Sequence, residues 1–546
     1  MGQGYSLTTL SAGSAGIDAP ELSDLAYEKA LGDARFMKAI RAKHRDGLVV
    51  AKVVMKPYSS LKFASYIESI LRERRILMSI PNALGYHRTF ETSSNGYLVR
   101  QYVYSSIYDR LSTRPFLEDI EKKWLTFQLL CAVRDCHARE LYHGDIKTEN
   151  VLVTSWSWLY LTDFSSSFKP TYLPEDNPAD FSFFFDISGR RTCYLAPERF
   201  LAPGEQGSDQ GVTWAMDIFS VGCVIAELFL ETPIFSLSQL FKYRTKEYDP
   251  VQIHLNRIED VDIREMVTHM IKLEPESRYS ADEYLNFWRQ KAFPDYFYSF
   301  LHQYMHLITD PSSGLNPITS ADANLGESDE RIDRVYYDFD KISYLLGWPN
   351  QQDDTGAHSL AKFKGTNQLF PLHLDLPDRP GAIRYRKAPH SNDGALIFLT
   401  IVTSAFRSTA RSTARVRACE LLLAFSERIT DEAKMDRVLP YLMSLLHDTS
   451  DICRVAALRS LTQLVRLSLL YFTYRSKLTC LARNDTFDIS SECLHLPGVH
   501  PAAPGNAHAS RLDQTIASGA RHLCFLLSYF GRECFQISGR CASTSG

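Results

Sequence analysis

His143-Gly144-Asp145-Ile146-Lys147-Thr148-Glu149-Asn150 is the stretch that decides the reading of this chain. Downstream of it come Leu159-Tyr160-Leu161-Thr162-Asp163-Phe164-Ser165 and then Ala196-Pro197-Glu198. Upstream, Leu48-Val49-Val50-Ala51-Lys52-Val53-Val54 reads as a buried strand interrupted by one lysine. From Leu25 to about residue 110 the pattern is short strands and one amphipathic helix, and from Asp119 to residue 300 it is mostly helical. The expectation is an α+β unit with a small strand-rich lobe before a larger helical lobe.

The order and spacing of the three downstream stretches resemble the catalytic loop, metal-binding triplet and activation-segment end of protein kinases, and so imply the bilobal kinase fold. Phosphoryl transfer asks a protein for alignment and for neutralisation of spreading negative charge, with little covalent chemistry. The resemblance makes Asp145 the group that orients the acceptor hydroxyl and takes its proton. It sets Lys147 near the transferred phosphate, a feature of serine/threonine enzymes. Asn150 and Asp163 are hard oxygen donors of the kind that hold magnesium, or manganese, beside ATP. Val50-Ala51-Lys52 resembles the strand whose lysine grips the phosphates. Arg72-Glu73-Arg74-Arg75-Ile76-Leu77 resembles the helix that supplies its carboxylate partner, Glu73, with Glu68 as the alternative five residues earlier. Asp217-Ile218-Phe219-Ser220-Val221-Gly222-Cys223 resembles the buried helix whose Asp217 tethers the loop of His143, and Arg278 stands where the family pairs an arginine with Glu198. Those last roles are structural.

Three departures qualify the resemblance. In Leu31-Gly32-Asp33-Ala34-Arg35-Phe36-Met37 only Gly32 survives of the three glycines that let a backbone approach nucleotide phosphates, with Ala34 and Met37 in the other places. Gly144 replaces the arginine that elsewhere pairs with a phosphorylated activation segment, so that switch is expected to be missing. Ser165 replaces the glycine after Asp163-Phe164, which restricts any flip of the triplet. The expectation is a site built to hold one state. Within the activation segment, Phe181-Ser182-Phe183-Phe184-Phe185 is either core or a docking surface.

Composition narrows the alternatives. With 546 residues, 45% hydrophobic and 23% charged, the chain is long enough for two or three domains with their own cores. A net charge of -4 argues against nucleic acid as a partner. Eleven cysteines without a Cys-x-x-Cys pair suggest reduced cytosolic thiols. The longest apolar run, Phe219 to Leu230, is shorter than the roughly 20 residues of a spanning helix.

Met1-Gly2-Gln3-Gly4-Tyr5-Ser6 fits a myristoylation start with Gly2 as the acceptor, on a Gly/Ser-rich flexible arm over residues 1–24. A single acyl chain binds membranes only marginally, so a second anchor is implied. After the kinase domain at 25–300, residues 301–394 read as a linker with one short helix from Arg334 to Leu346. Over 395–470 helical spacing returns. Arg417-Ala418-Cys419-Glu420-Leu421 recurs as Arg454-Val455-Ala456-Ala457-Leu458 about 37 residues later, a period that suits HEAT-like units. Residues 471–546 lose this pattern and have no assigned fold. That break raises the expectation of a truncated or mis-spliced chain.

The His-Gly-Asp triplet, the myristoylation start and the repeats behind a kinase domain together resemble the vacuolar protein-sorting kinases, the regulatory subunits of class III phosphatidylinositol 3-kinase complexes. Membership implies a cytoplasmic protein peripheral on endosome, Golgi, vacuole or autophagosomal membranes. It implies ATP as nucleotide, and as partners the lipid-kinase catalytic subunit and a Beclin-like subunit. It leaves two functions open, a serine/threonine kinase and a nucleotide-binding scaffold that restrains the lipid kinase. A free-standing small-molecule kinase fits the protein-kinase ending at Glu198 less well.

Overall fold

The computed structural model describes residues 22–33, 37–45, 47–55, 64–92, 95–164, 169–186, 189–205, 207, 211–309, 327–346, 394–426 and 428–467. The readings made on Gly2, on Ala34, on Ser165 and on the tail from residue 471 lie outside them.

The small lobe is an antiparallel five-stranded sheet. Its strands are β1 (Ala26–Asp33), β2 (Met37–His44), β3 (Gly47–Met55), β5 (Arg88–Glu91) and β6 (Asn95–Gln101), in the order β1-β2-β3-β6-β5. Between β3 and β5 come helix α1 (Ala64–Leu77) and the short β4 (Ala83–Leu84). Side chains alternate faces along a strand. Val49, Ala51 and Val53 therefore join Tyr97 and Val99 in one apolar cluster. Lys52 takes the other face. On β6, where Lys52 pairs with Leu98 and Val50 with Arg100, the same parity brings Arg100 round to the side of Lys52.

The lobes are joined where β4 pairs in parallel with β9 (Leu159–Thr162), placing Leu84 opposite Thr162 next to Asp163. β9 continues through β8 (Val151–Val153) to β7 (Ser105–Ser106), which runs into α2 (Ile107–Leu111). The floor of the large lobe is α3 (Asp119–His137). The activation segment carries β10 (Leu173–Pro174) and α4 (Pro178–Phe184), and β10 pairs with β11 (Phe200–Leu201) just after Glu198. Next comes α5 (Trp214–Leu230), buried on nearly every face, as the apolar run in the sequence requires. Around it pack α6 (Leu237–Arg244), α7 (Pro250–Ile253), α8 (Val261–Met270) and α9 (Ala281–Phe287), and α10 (His302–Thr309) follows. The six free cysteines among the described residues are all buried.

The stretch read as a linker holds more structure than one helix. It contains α11 (Glu327–Tyr337) and α12 (Phe339–Leu345), both packed through Ile332, Val335, Phe339 and Ile342. Their acidic start hid the 3–4 spacing of those apolar positions. Beyond them run α13 (Ala395–Phe406), α14 (Ser412–Ser426), α15 (Asp431–Arg437), α16 (Leu439–Leu445) and α17 (Asp451–Leu467). One apolar core runs from the large lobe through these helices. The boundary is sealed by polar contacts as well. Both oxygens of Glu121 on α3, fully buried, receive the Arg437 guanidinium at 2.7 Å. Trp156 donates to the Thr309 hydroxyl at 2.9 Å, and the Arg331 guanidinium lies 4.2 Å from the Trp156 ring.

Candidate active site in the cleft

Asp217 builds the catalytic loop from behind. From α5 its carboxylate accepts the backbone N–H of His143 at 2.7 Å and of Gly144 at 2.8 Å, and it meets His137 at 3.1 Å. The His143 ring contacts the carbonyl of Thr162 at 2.9 Å and packs 4.5 Å from the Phe164 ring, so burial holds its pKa down and it acts as a strut. Gly144 has φ +75°, and an added Cβ would lie 3.1 Å from a Val212 methyl. The residue that cost the sequence its usual arginine is thus one that this left-handed turn favours. Glu198 and Arg278 form the expected fork, at 2.7 and 3.1 Å.

At the front of the loop, Asp145 is capped by cations. Lys169, from the activation segment, donates to Asp145 Oδ2 at 2.6 Å, Lys147 Nζ stands 3.5 Å from the same atom, and the Asn150 amide donates to it at 3.2 Å. Burial raises the Asp145 pKa, but Lys147 and Lys169 more than offset this and hold it below the usual carboxylate range. Burial lowers the Lys169 ammonium to about 8 even though Asp145 supports its charge. The cap is itself clamped. Lys169 and Arg199 lie 5.1 and 5.0 Å from the ring of Phe185, whose carbonyl accepts Lys147 at 3.1 Å. Farther along, Arg190 pairs with Glu149 at 3.0 Å and with buried Glu227 at 2.5 Å, and stacks 4.0 Å from Tyr108. Phe181 and Phe185 are buried and Phe183 is 37% exposed, so the aromatic cluster is mainly core with one ring outward.

The upper half of the cleft departs from expectation. The ion pair expected between Lys52 and Glu73 is replaced by one between Lys52 Nζ and Asp163 Oδ2, at 2.7 Å. Glu73 is buried on α1, facing a small hollow lined by Ile70, Tyr86 and Phe164, while Glu68 faces solvent. That settles which glutamate points inward. The reason for the changed pairing is that Asp163 draws three donors. Besides Lys52, Arg100 gives Nε at 2.9 Å and Nη2 at 3.2 Å, and the Tyr86 hydroxyl donates at 3.0 Å. Burial pushes the Asp163 pKa up, but Arg100 and Lys52 overcome it and hold the group far below the normal range. Its backbone, at φ +66°, sits in the left-handed region that a non-glycine residue enters only when its surroundings fix it.

Kinase domains as a class work on ATP with a divalent metal. Asn150 and Asp163 have the donor chemistry for such an ion. In this arrangement they do not fit one, because both Asp163 oxygens are each filled by two donors of the chain itself.

Arg100, Tyr86, Lys169 and Arg190 were not singled out from the sequence. Arg100 had a signal, a charge inside the apolar run Tyr97-Leu98-Val99-Arg100. Lys169 had none, since its reach depends on the path of the activation segment. Gly32 lies in β1, at a register shift that follows Ala30.

Residues 25–288 match the protein kinase domain family, and residues 398–469 match the family described as PIK3R4-like, middle domain. A protein of Komagataella pastoris that carries the VPS15 name is 43% identical over 455 residues, covering 82% of this chain and 33% of the relative. The serine/threonine-protein kinase VPS15 of Saccharomyces cerevisiae is 38% identical over 470 residues, covering 81% and 32%, and that of Arabidopsis thaliana 38% over 497 residues, covering 82% and 33%. The chain thus spans about a third of the length of these relatives. A kinase lobe pair with a tethered His-Gly-Asp loop, backed by a matching helical middle segment, places the chain in the VPS15 family of kinase-domain proteins.

Proposed function

We propose that this chain is a regulatory and scaffold subunit of a class III phosphatidylinositol 3-kinase complex, carrying an ATP-dependent serine/threonine protein-kinase domain whose phosphotransfer is held down. The observation that carries the reading is the contact between Lys169 and Asp145. The catalytic loop retains Asp145, Lys147 and Asn150, yet its activation segment occupies the carboxylate that would orient an acceptor hydroxyl. For transfer to occur, Lys169 must leave Asp145 and the hydroxyl must take its place. The partners are the lipid-kinase catalytic subunit and a Beclin-like subunit.

Myristoylation at Gly2 supplies one weak anchor and the complex supplies the other, which makes the protein peripheral on endosomal, Golgi, vacuolar or autophagosomal membranes. Among the described residues no helix is long and apolar enough to cross a bilayer. The units proposed are an arm at 1–24, a kinase domain at 25–300, a connecting segment at 301–394, HEAT-like helices at 395–470 and a tail at 471–546.

A second reading, a nucleotide-binding scaffold without turnover, is favoured by the capping of both Asp145 and Asp163. Cells lacking the family member and showing a sorting or autophagy defect separate the two. If phosphotransfer matters, Asp145→Asn fails to complement although the protein accumulates normally. Full complementation by Asp145→Asn leaves the scaffold reading.

A further inference from the structure

The carboxylate of Asp163 at the inner end of the cleft is met by donors of the protein alone. Asp163 Oδ1 takes Arg100 Nε and the Tyr86 hydroxyl, and Oδ2 takes Lys52 Nζ and Arg100 Nη2. A carboxylate offers about four lone-pair sites, and all four are used. Arg100 and Asp163 are 6% and 8% exposed, so their contact is buried. Arginine keeps its charge under all conditions a folded protein meets, and its planar fork matches a carboxylate with two parallel bonds. It therefore does at Asp163 what a bound divalent ion would do. The cluster around it holds the cations Lys52, Arg100, Lys147 and Lys169 against the carboxylates Asp145, Asp163 and Glu73. That leaves an excess of positive charge facing the place where polyphosphate would lie.

We propose that Arg100 is a resident cation that replaces the divalent ion at Asp163, so that this site takes a nucleoside triphosphate without metal. The inference rests on the nucleotide reading of the cleft. It gives a role to the charge that follows the apolar run Tyr97-Leu98-Val99. An arginine taken out of water needs a fixed anionic partner, and the pleat of β6 delivers it to Asp163 beside Lys52. The consequence is a nucleotide that serves as a structural ligand, retained irrespective of magnesium.

The test is equilibrium binding of mant-labelled ATP and GTP to the full chain, in excess EDTA and in millimolar magnesium, for wild type, Arg100→Met and Arg100→Lys. Circular dichroism checks that each variant is folded. The proposal expects wild-type affinity to be the same in both buffers. It expects Arg100→Met to gain about tenfold in affinity on adding magnesium, the size of one lost charge-assisted contact. Arg100→Lys keeps the charge and should fall between them. The wild-type comparison stands even if Arg100→Met fails to fold. Binding by wild type that disappears in EDTA overturns the proposal and leaves the nucleotide reading intact. Absence of binding in both buffers overturns the nucleotide reading and the proposal with it.

Discussion

Gly144 shows how a single position can be legible in sequence and still be misread. As a letter it marks a lost arginine, and with it the expectation that a phosphorylation-linked switch is missing. Its positive φ and the closeness of Val212 to the place a Cβ would take appear only once the Asp217 carboxylate has drawn two successive N–H groups into one turn. Gly144→Ala should cost about 1–2 kcal/mol from the left-handed backbone alone, with more from crowding the Val212 methyl. Urea unfolding of the full chain checks it; an unchanged midpoint would mean the turn adapts at no cost. The Lys52, Asp145, Asn150 and Asp163 positions converge in the cleft as their motif order implied. Their pairing did not follow, because motif spacing carries no record of a fourth residue such as Arg100 competing for the same carboxylate.

Among the elements, strands and helices with a clean period were readable and those defined by partners were not. The buried strand around Lys52 and the helix after Asp217 lie where the apolar pattern set them. Helices α11 and α12 were partly lost in polar sequence, since charged residues such as Glu330, Asp333, Arg334 and Lys341 stand between their buried apolar positions. The activation segment is shaped by Arg190, Lys169 and Phe185 reaching across to other elements. On α14, burial raises the carboxyl of Glu420 to about 8, only partly countered by Tyr336 and Arg417. A carboxyl whose folded pKa exceeds its unfolded value stabilises the fold fully below the unfolded value of about 4.5, and loses that contribution as pH rises towards 8. The helical segment should therefore weaken between those limits. Glu420→Gln should flatten the dependence and add roughly 2–3 kcal/mol near pH 7. Thermal unfolding followed across pH 4 to pH 9 reads both effects; identical pH profiles for the two proteins would refute the assignment.

At the scale of the molecule, the sequence suggested a kinase domain, a linker and a repeat segment as successive units, whereas the core runs through from lobe to helices. The decisive contact joins Glu121 and Arg437, more than three hundred residues apart in sequence, and no local pattern announces such a pair. Arg437→Ala leaves Glu121 buried and unpaired, and should cost about 3–5 kcal/mol. Restoring neutrality with Glu121→Gln in the same chain should recover most of the loss. Denaturant unfolding in a double-mutant cycle measures the coupling, and additive losses would show that the two surfaces do not depend on one another.

The central claim is that this interlocked body keeps a working nucleotide site. Calorimetric titration of ATP into the full chain, beside Lys52→Ala, tests it most directly. The account predicts saturable binding by wild type and a loss of about tenfold or more in the variant, since Lys52 is the cation proposed to grip the phosphates. A folded wild-type chain that takes up no ATP, or a Lys52→Ala chain that binds it unchanged, would contradict the account.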